Sequence, residues 1–187
     1  MAEGIDVLND LELARGLFGR MAADLSMILD REIEVQDFRA ERTARRVAGE
    51  GLVHISFKLG IQVQERSHQG CLLVPLPEAM ALAGYMMMLP DDVVAQERAR
   101  SELEAPFKEA LLEIGKFLAG ACDTVLRRTL TEHRSTHADG CQGVRADVRP
   151  ALAYREGDEL IVARARARIH EYEPFEMILM LPAPIVG

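Results

Sequence analysis

The chain of 187 residues is 49% hydrophobic and 28% charged, with a formal net charge of −8 at pH 7. This length and composition are typical of one globular domain with a sizeable core, and they exclude a disordered chain. The acidic balance disfavours nucleic acid and anionic membranes as partners. Because the chain has neither an apolar run of membrane-spanning length nor a basic signal segment at its start, we expect a cytoplasmic protein without membrane insertion.

The first half of the chain predicts a long helix, three strands and a short helix. Apolar residues recur at three- and four-residue steps over residues 10–29, which is the period of an amphipathic helix. Alternating apolar residues predict strands over 32–38 and 52–59, and a short apolar run predicts a buried strand over 71–76. Pro77 then starts a short apolar helix.

The second half repeats this order after a polar connector over residues 91–105. An amphipathic helix is predicted from Pro106 to about Leu130, and the polar residues 131–143 predict a loop. Three further strands are predicted over 143–148, 159–169 and 175–181. The short connections between strands favour an antiparallel sheet and an α+β fold.

Two pairs of similar segments indicate an internal duplication. Residues 12–19 (ELARGLFG) and 113–120 (EIGKFLAG) lie at equivalent places in the two long helices, and 72–77 (LLVPLP) is similar to 177–182 (MILMLP). A repeat of about half the chain predicts two similar halves related by a pseudo-twofold axis. We therefore expect one domain over residues 1–187, with halves at about 10–90 and 106–185.

This duplicated order, with its EIGKFLAG segment, resembles the CheC/CheX/FliY/FliM family of bacterial chemotaxis and flagellar-switch proteins, CheX most closely. The resemblance implies a CheX/CheC-like α+β fold of two pseudo-symmetric halves, each a long helix plus three mostly antiparallel strands. In the phosphatases of that family, a Glu is followed three residues later by an Asn and four further on by a Gly. The Glu pairs with a lysine of a phosphorylated CheY-like response regulator, and the Asn amide holds the water that attacks the aspartyl phosphate.

In this chain Glu113 matches the family Glu and Gly120 matches the Gly, while Glu109 stands where Asp or Ser is usual. Lys116 stands in the place of the Asn. An ammonium group has three donors and no acceptor, so it cannot hold a water as an amide does. Glu113 and Lys116 are the candidate catalytic residues, and with Glu109 they are candidate binding residues.

The first helix carries the same departure from the family motif. Glu12 matches the family Glu, and Arg15 stands in the place of the Asn. Glu12 and Arg15 are therefore further candidate binding residues. An ordinary ion pair on a solvated helix face explains Glu113 and Lys116 equally well.

Three functions follow from the resemblance. The first is docking of a phosphorylated CheY-like receiver domain, with phosphatase activity impaired. The second is an active aspartyl-phosphate phosphatase in which another polar residue, such as Glu109, orients the water. The third is a flagellar-switch assembly protein like FliM or FliY. The resemblance also implies a homodimer and no cofactor on this chain, with Mg²⁺ carried by the receiver.

Two other groups of residues are candidate sites of lower weight. His133, His137 and Cys141 follow one another at four-residue steps, but without a paired zinc signature we expect no metal site. Arg164, Arg166 and Arg168 alternate with alanines and predict one basic strand face, which fits either an acidic partner or simple solvation.

Overall fold

The computed structural model describes residues 3–186, and the side chains of residues 10–186. Its helices are α1 (Glu3–Leu29), α2 (Leu76–Met86), α3 (Asp91–Glu97) and α4 (Ala105–Thr129), and a 3-10 turn spans Ala183–Ile185. Its strands are β1 (Ile33–Thr43), β2 (His54–Val63), β3 (Arg66–Pro75), β4 (His133–Val144), β5 (Leu160–Ile169) and β6 (Phe175–Pro182). The predicted order of elements is confirmed.

The six strands form one antiparallel sheet in the order β1-β5-β6-β3-β2-β4. This order is symmetric about the line between β6 and β3, which relates β1 to β4, β2 to β5 and β3 to β6. The first strand of each half pairs with the second strand of the other half, so the halves share one sheet and neither has a complete sheet alone. The predicted α+β fold of two pseudo-symmetric halves is confirmed.

Both long helices cover the same face of the sheet, where they pack against each other and bury the main core. Phe18 of α1, Phe57 of β2 and Ile114 of α4 are fully buried in this core. A smaller core on the opposite face is covered by Leu152 from the long β4–β5 connection. None of the described helices is long and apolar enough to cross a membrane.

The loop predicted over residues 131–143 is wrong, because most of these residues belong to β4. β4 lies at the sheet edge and pairs with β2 alone among the described strands. The sequence of β4, HRSTHADGCQGV, has few apolar residues, and only His133, Thr136 and Val144 of it are buried, so it lacks the apolar alternation that predicts a half-buried strand. Gly140, with φ of +91°, lies within a bulge of β4, as Asp37 with φ of +56° does in the other edge strand, β1. The strand predicted over 143–148 extends only to Val144.

The connector between the halves is tied to the body of the protein by a buried ion pair. Arg98, directly after α3, donates a hydrogen bond of 2.7 Å to Glu78 of α2. Its guanidinium also lies 3.7 Å from the ring centroid of Tyr172, in the β5–β6 turn. Glu78 is only 7% exposed. Burial raises the pKa of its carboxyl, and the charge of Arg98 opposes that shift.

Candidate functional site

The outer surface of α4 is one continuous exposed row of side chains, here called the α4 stripe. Its members are Glu109, Leu112, Glu113, Lys116, Phe117 and Gly120. Residues three and four apart share one face of a helix, and the opposite face of α4 is the one that packs into the core. The structure therefore brings the predicted site residues Glu109, Glu113 and Lys116 together on one surface.

Two apolar side chains of the α4 stripe were not predicted as site residues. Leu112 is 44% exposed and Phe117 is 38% exposed, and they alternate with the charged residues along the stripe. The exposure of Leu112 and Phe117 could have been predicted from the sequence, because both fall outside the apolar period that predicts the buried face of α4. Leu112 and Phe117 thus add exposed apolar area to a charged helix face.

Glu113 and Lys116 form the ion pair expected from their spacing. The Nζ atom of Lys116 donates a hydrogen bond of 2.6 Å to Oε1 of Glu113. The side chains are 65% exposed for Lys116 and 51% for Glu113, so water screens the pair. A pair of this kind contributes between about 0 and 1 kcal/mol to stability. The pair is therefore easily exchanged for an external partner.

A groove of about 820 Å³ flanks the α4 stripe. Its walls combine Glu109 and Lys116 with Met86 and Met87 at the end of α2 and with Ala138 of β4. Met86 and Met87 are half-buried, and Met88, which follows them, is 91% exposed. Methionine adapts its shape to a partner more readily than other apolar side chains.

The corresponding residues of α1 adopt a different arrangement. Arg15 lies with its guanidinium 5.2 Å from the ring centroid of Phe38, a residue of β1. Glu12 is exposed and has no hydrogen-bond or ion-pair partner within the described part of the chain. The two predicted binding pairs therefore lie on separate helices, and only in α4 is the Glu bonded to the cation that replaces the Asn.

Gly120, at the end of the α4 stripe, leaves open space above the helix. A Cβ atom added at Gly120 would meet nothing within 4 Å. A glycine within a helix costs about 1 kcal/mol relative to alanine. Packing inside the chain does not account for that cost, whereas close approach of a partner to the helix backbone would.

His133, His137 and Cys141 do not converge. Nε2 of His133 lies 2.9 Å from Oδ1 of Asp123 on α4, whereas the ring of His137 lies against Gly60 on the opposite face of the sheet. Burial raises the pKa of the Cys141 thiol, which disfavours a reactive thiolate. Within residues 10–186, no group of three or more His, Cys, Asp or Glu side chains is placed to hold a metal.

The basic face of β5 is largely neutralised by its neighbours. Arg164 donates a hydrogen bond of 2.6 Å to Glu176 of β6, and Arg168 donates one of 2.6 Å to Glu34 of β1. Arg166, between them, is exposed. This pairing favours a solvated strand face over a strong site for an acidic partner.

Comparison with known proteins agrees with this fold. The sequence has no match to a protein-family model and no significant match to a curated protein. The solved structure of FliY from Thermotoga maritima is similar, with 17% identity and a TM-score of 0.71, over 100% of this chain and 93% of that chain. FliM of H. pylori, solved in a complex with FliG, has 12% identity and a TM-score of 0.64 over 97% of this chain and 94% of its own.

CheX from Desulfovibrio desulfuricans is also similar, with 12% identity and a TM-score of 0.59 over 91% of this chain and 99% of that chain. The chain thus has the fold of the CheC/CheX/FliY/FliM chemotaxis and flagellar-switch proteins. The predicted closer similarity to CheX is not resolved, because FliY and FliM match at least as well.

Proposed function

We propose that this protein docks the phosphorylated receiver domain of a CheY-like response regulator through the α4 stripe. The observation that carries the proposal is the position of Glu113, exposed on α4 at the place where the family resemblance implies a partner for the regulator lysine. Leu112 and Phe117 supply apolar contact area on either side of the charges.

Lys116 is hydrogen-bonded to the carboxylate of Glu113, which is the group that the regulator lysine would bind. The internal pair is exposed and contributes at most about 1 kcal/mol, so an incoming lysine that becomes partly desolvated on docking can replace it. In α1, Glu12 has no such internal competitor in the described chain. We infer that both helices offer a carboxylate to a receiver, and that α4 does so at a small energetic cost.

We further propose that phosphatase activity is impaired. Attack on an aspartyl phosphate requires a water that is positioned in line, in addition to neutralisation of charge. Lys116 offers only donors to such a water, and Arg15 has the same deficiency. The chain itself would hold no cofactor, and the Mg²⁺ of the reaction would be carried by the receiver domain.

Docking is tested by two substitutions on the α4 stripe. Glu113→Ala is expected to weaken binding of a phosphorylated receiver domain by about tenfold, since a charge-assisted hydrogen bond at an interface is lost. Gly120→Ala is expected to preserve or raise the melting temperature while it weakens the same binding, because the added methyl group stands only in the path of a partner. Isothermal titration calorimetry measures the dissociation constants.

The matched control is Glu171→Ala, which removes an exposed carboxylate from the β5–β6 turn. This control should leave binding unchanged, and all variants should bind unphosphorylated receiver more weakly than the phosphorylated form. Equal affinities of the native chain, Glu113→Ala and Gly120→Ala for the phosphorylated receiver would rule out docking through the α4 stripe.

A second candidate function is assembly within a flagellar switch. It is favoured by the structural similarity to FliY and to FliM solved with FliG. An assembly protein would bind its switch partner with the same affinity whether or not a receiver domain is phosphorylated. Binding of a FliG-like partner, together with no binding of a phosphorylated receiver, would favour this function over the first.

We also propose that the protein is a homodimer, as the resemblance implies. β1 and β4 lie at the two edges of the sheet, and the outer backbone groups of each have no partner strand in the described chain. Pairing of two copies through such an edge would satisfy these groups. Sedimentation velocity is expected to give the mass of two chains, and the mass of one chain at high micromolar concentration would contradict the dimer.

A further inference from the structure

A second concave site lies at the end of the sheet where β3 begins and β6 ends, away from the α4 stripe. It is a cavity of about 290 Å³ between the start of β3, the end of the β4–β5 connection, the last residue of β6, Pro182, and Pro184 after it. Its polar lining residues are Arg66, Ser67, His68, Arg155 and Asp158, and its ring-bearing walls are Tyr154, Pro182 and Pro184. None of these residues belongs to the α4 stripe.

The walls of this cavity are held in place by hydrogen bonds. The backbone N–H of Ala153 donates to Oε1 of Gln69 on β3, at 2.9 Å. The N–H of Asp158 donates to the carbonyl of Arg155 at 3.1 Å, which closes the turn that carries both side chains. The N–H of Ala183 donates to the carbonyl of Glu159 at 2.8 Å. The cavity is therefore a defined feature of the fold.

The charge of the cavity is positive, although the chain is acidic overall. Arg66 and Arg155 have no ion-pair or hydrogen-bond partner for their guanidinium groups among the described residues. Elsewhere, arginines such as Arg164 and Arg168 are bonded to glutamates. Burial lowers the pKa of His68, and the charges of Arg66 and Arg155 act in the same direction, whereas Asp158 opposes them. The positive charges thus lie close enough to act on one imidazole.

We propose that this cavity binds a phosphate monoester, with Arg66, Arg155 and His68 around the phosphate. Guanidinium groups match the oxygens of a phosphate in a bidentate geometry, and two of them without internal partners leave donors for such an anion. The volume exceeds the space of a phosphate ion alone, and the ring of Tyr154 with the two prolines provides a wall for a small organic group. Two isolated arginines on an acidic protein do not form the extended basic surface that nucleic acid requires.

Calorimetric titration with inorganic phosphate and with adenosine monophosphate tests the proposal. Both probes are expected to bind the native chain, the ester more tightly. Arg66→Gln and Arg155→Gln should each weaken binding by about tenfold or more, because each loses a charge-assisted hydrogen bond. Asp158→Asn should strengthen binding, since it removes the acidic side chain of the lining. Arg145→Gln is the matched control. Arg145 is an exposed arginine that follows β4 next to the first residue of β2, at the other end of that strand from the cavity, and this variant should bind like the native chain.

A pH series with sulfate, whose charge is constant between pH 6 and 8, gives an independent readout. A dianion beside His68 raises the pKa of the imidazole, so binding takes up a proton and the affinity is expected to increase as the pH falls. His68→Gln should abolish that dependence. No binding of either phosphate probe at millimolar concentration overturns the proposal, as does equal binding by the native chain, Arg66→Gln and Arg155→Gln. Equal affinity for phosphate and the ester overturns the assignment of the organic part.

Discussion

Lys116→Asn is expected to accelerate the loss of phosphate from a CheY-like receiver domain that the native protein only binds. The asparagine would restore an amide oxygen that accepts a hydrogen bond from the attacking water, and it would also free Glu113 from its 2.6 Å bond to Lys116. Positioning of the nucleophile is worth a factor on the order of tenfold or more in rate. The measurement is the decay of phosphorylated receiver with Mg²⁺ present and the variant in excess.

Lys116→Met is the control that separates the two consequences of this change. Methionine also frees Glu113 and has a similar length, but it offers no amide to the water. Faster decay with asparagine and not with methionine would establish the missing amide as the cause. If the native chain already accelerates decay, it is an active phosphatase and Glu109 becomes the next residue to replace. If neither the native chain nor Lys116→Asn acts, and the receiver does not bind, assembly is the better account.

The α4 stripe illustrates how much of a site the sequence alone predicts. Positions 109, 113 and 116 are related by helical spacing, so their common surface and the Glu113–Lys116 pair follow from the period of the helix. The position of Leu112 on the same exposed surface follows from the same helical period. The difference between α1 and α4 does not follow from the helical period. Arg15 contacts the ring of Phe38 on β1, and the position of β1 depends on its pairing with a strand that is distant in sequence. Contacts within one helix can be predicted from the spacing of its residues, whereas contacts between elements depend on the topology of the fold.

The errors in the strands have the same physical origin. The strands predicted correctly are buried on one or both faces, and burial requires apolar residues in a regular order. β4 has only three buried side chains, His133, Thr136 and Val144, and few apolar residues, so it has no regular apolar order to detect. No local pattern predicts the cavity proposed to bind phosphate, because Arg66 and Arg155 line one cavity only after the β4–β5 connection has packed against β3.

Arg98→Met is expected to cause the largest loss of stability among the substitutions considered. It removes both the 2.7 Å bond to Glu78 and the contact with the ring of Tyr172. A carboxylate that is only 7% exposed is then left without its ion-pair partner. Removal of one partner from a buried pair costs about 3 to 5 kcal/mol. Arg168→Met is the control, because the ion pair of Arg168 with Glu34 is exposed on both sides, 43% and 49%, and its loss should cost less than about 1 kcal/mol.

The pH dependence of the stability loss in Arg98→Met tests whether the buried charge of Glu78 is its cause. Burial already holds the pKa of Glu78 above its ordinary value, and Arg98 is the group that limits the shift, so the pKa must rise further in Arg98→Met. The folded variant then binds a proton more readily than the unfolded chain. The cost of the substitution is therefore largest above the folded pKa and is relieved as the pH falls through that pKa toward the unfolded pKa.

Chemical denaturation of the native chain and Arg98→Met at pH 7 and pH 5 measures this change, and the gap in unfolding free energy should narrow at pH 5. Glu78→Gln added to Arg98→Met should recover part of the stability at pH 7, because a neutral amide costs less to bury than a carboxylate. A gap that is constant with pH and is not reduced by Glu78→Gln would instead assign the loss to the packing of Arg98 on Tyr172. The two side chains would then hold the connector to the β5–β6 turn by contact area, and the charge of Glu78 would be stabilised by water.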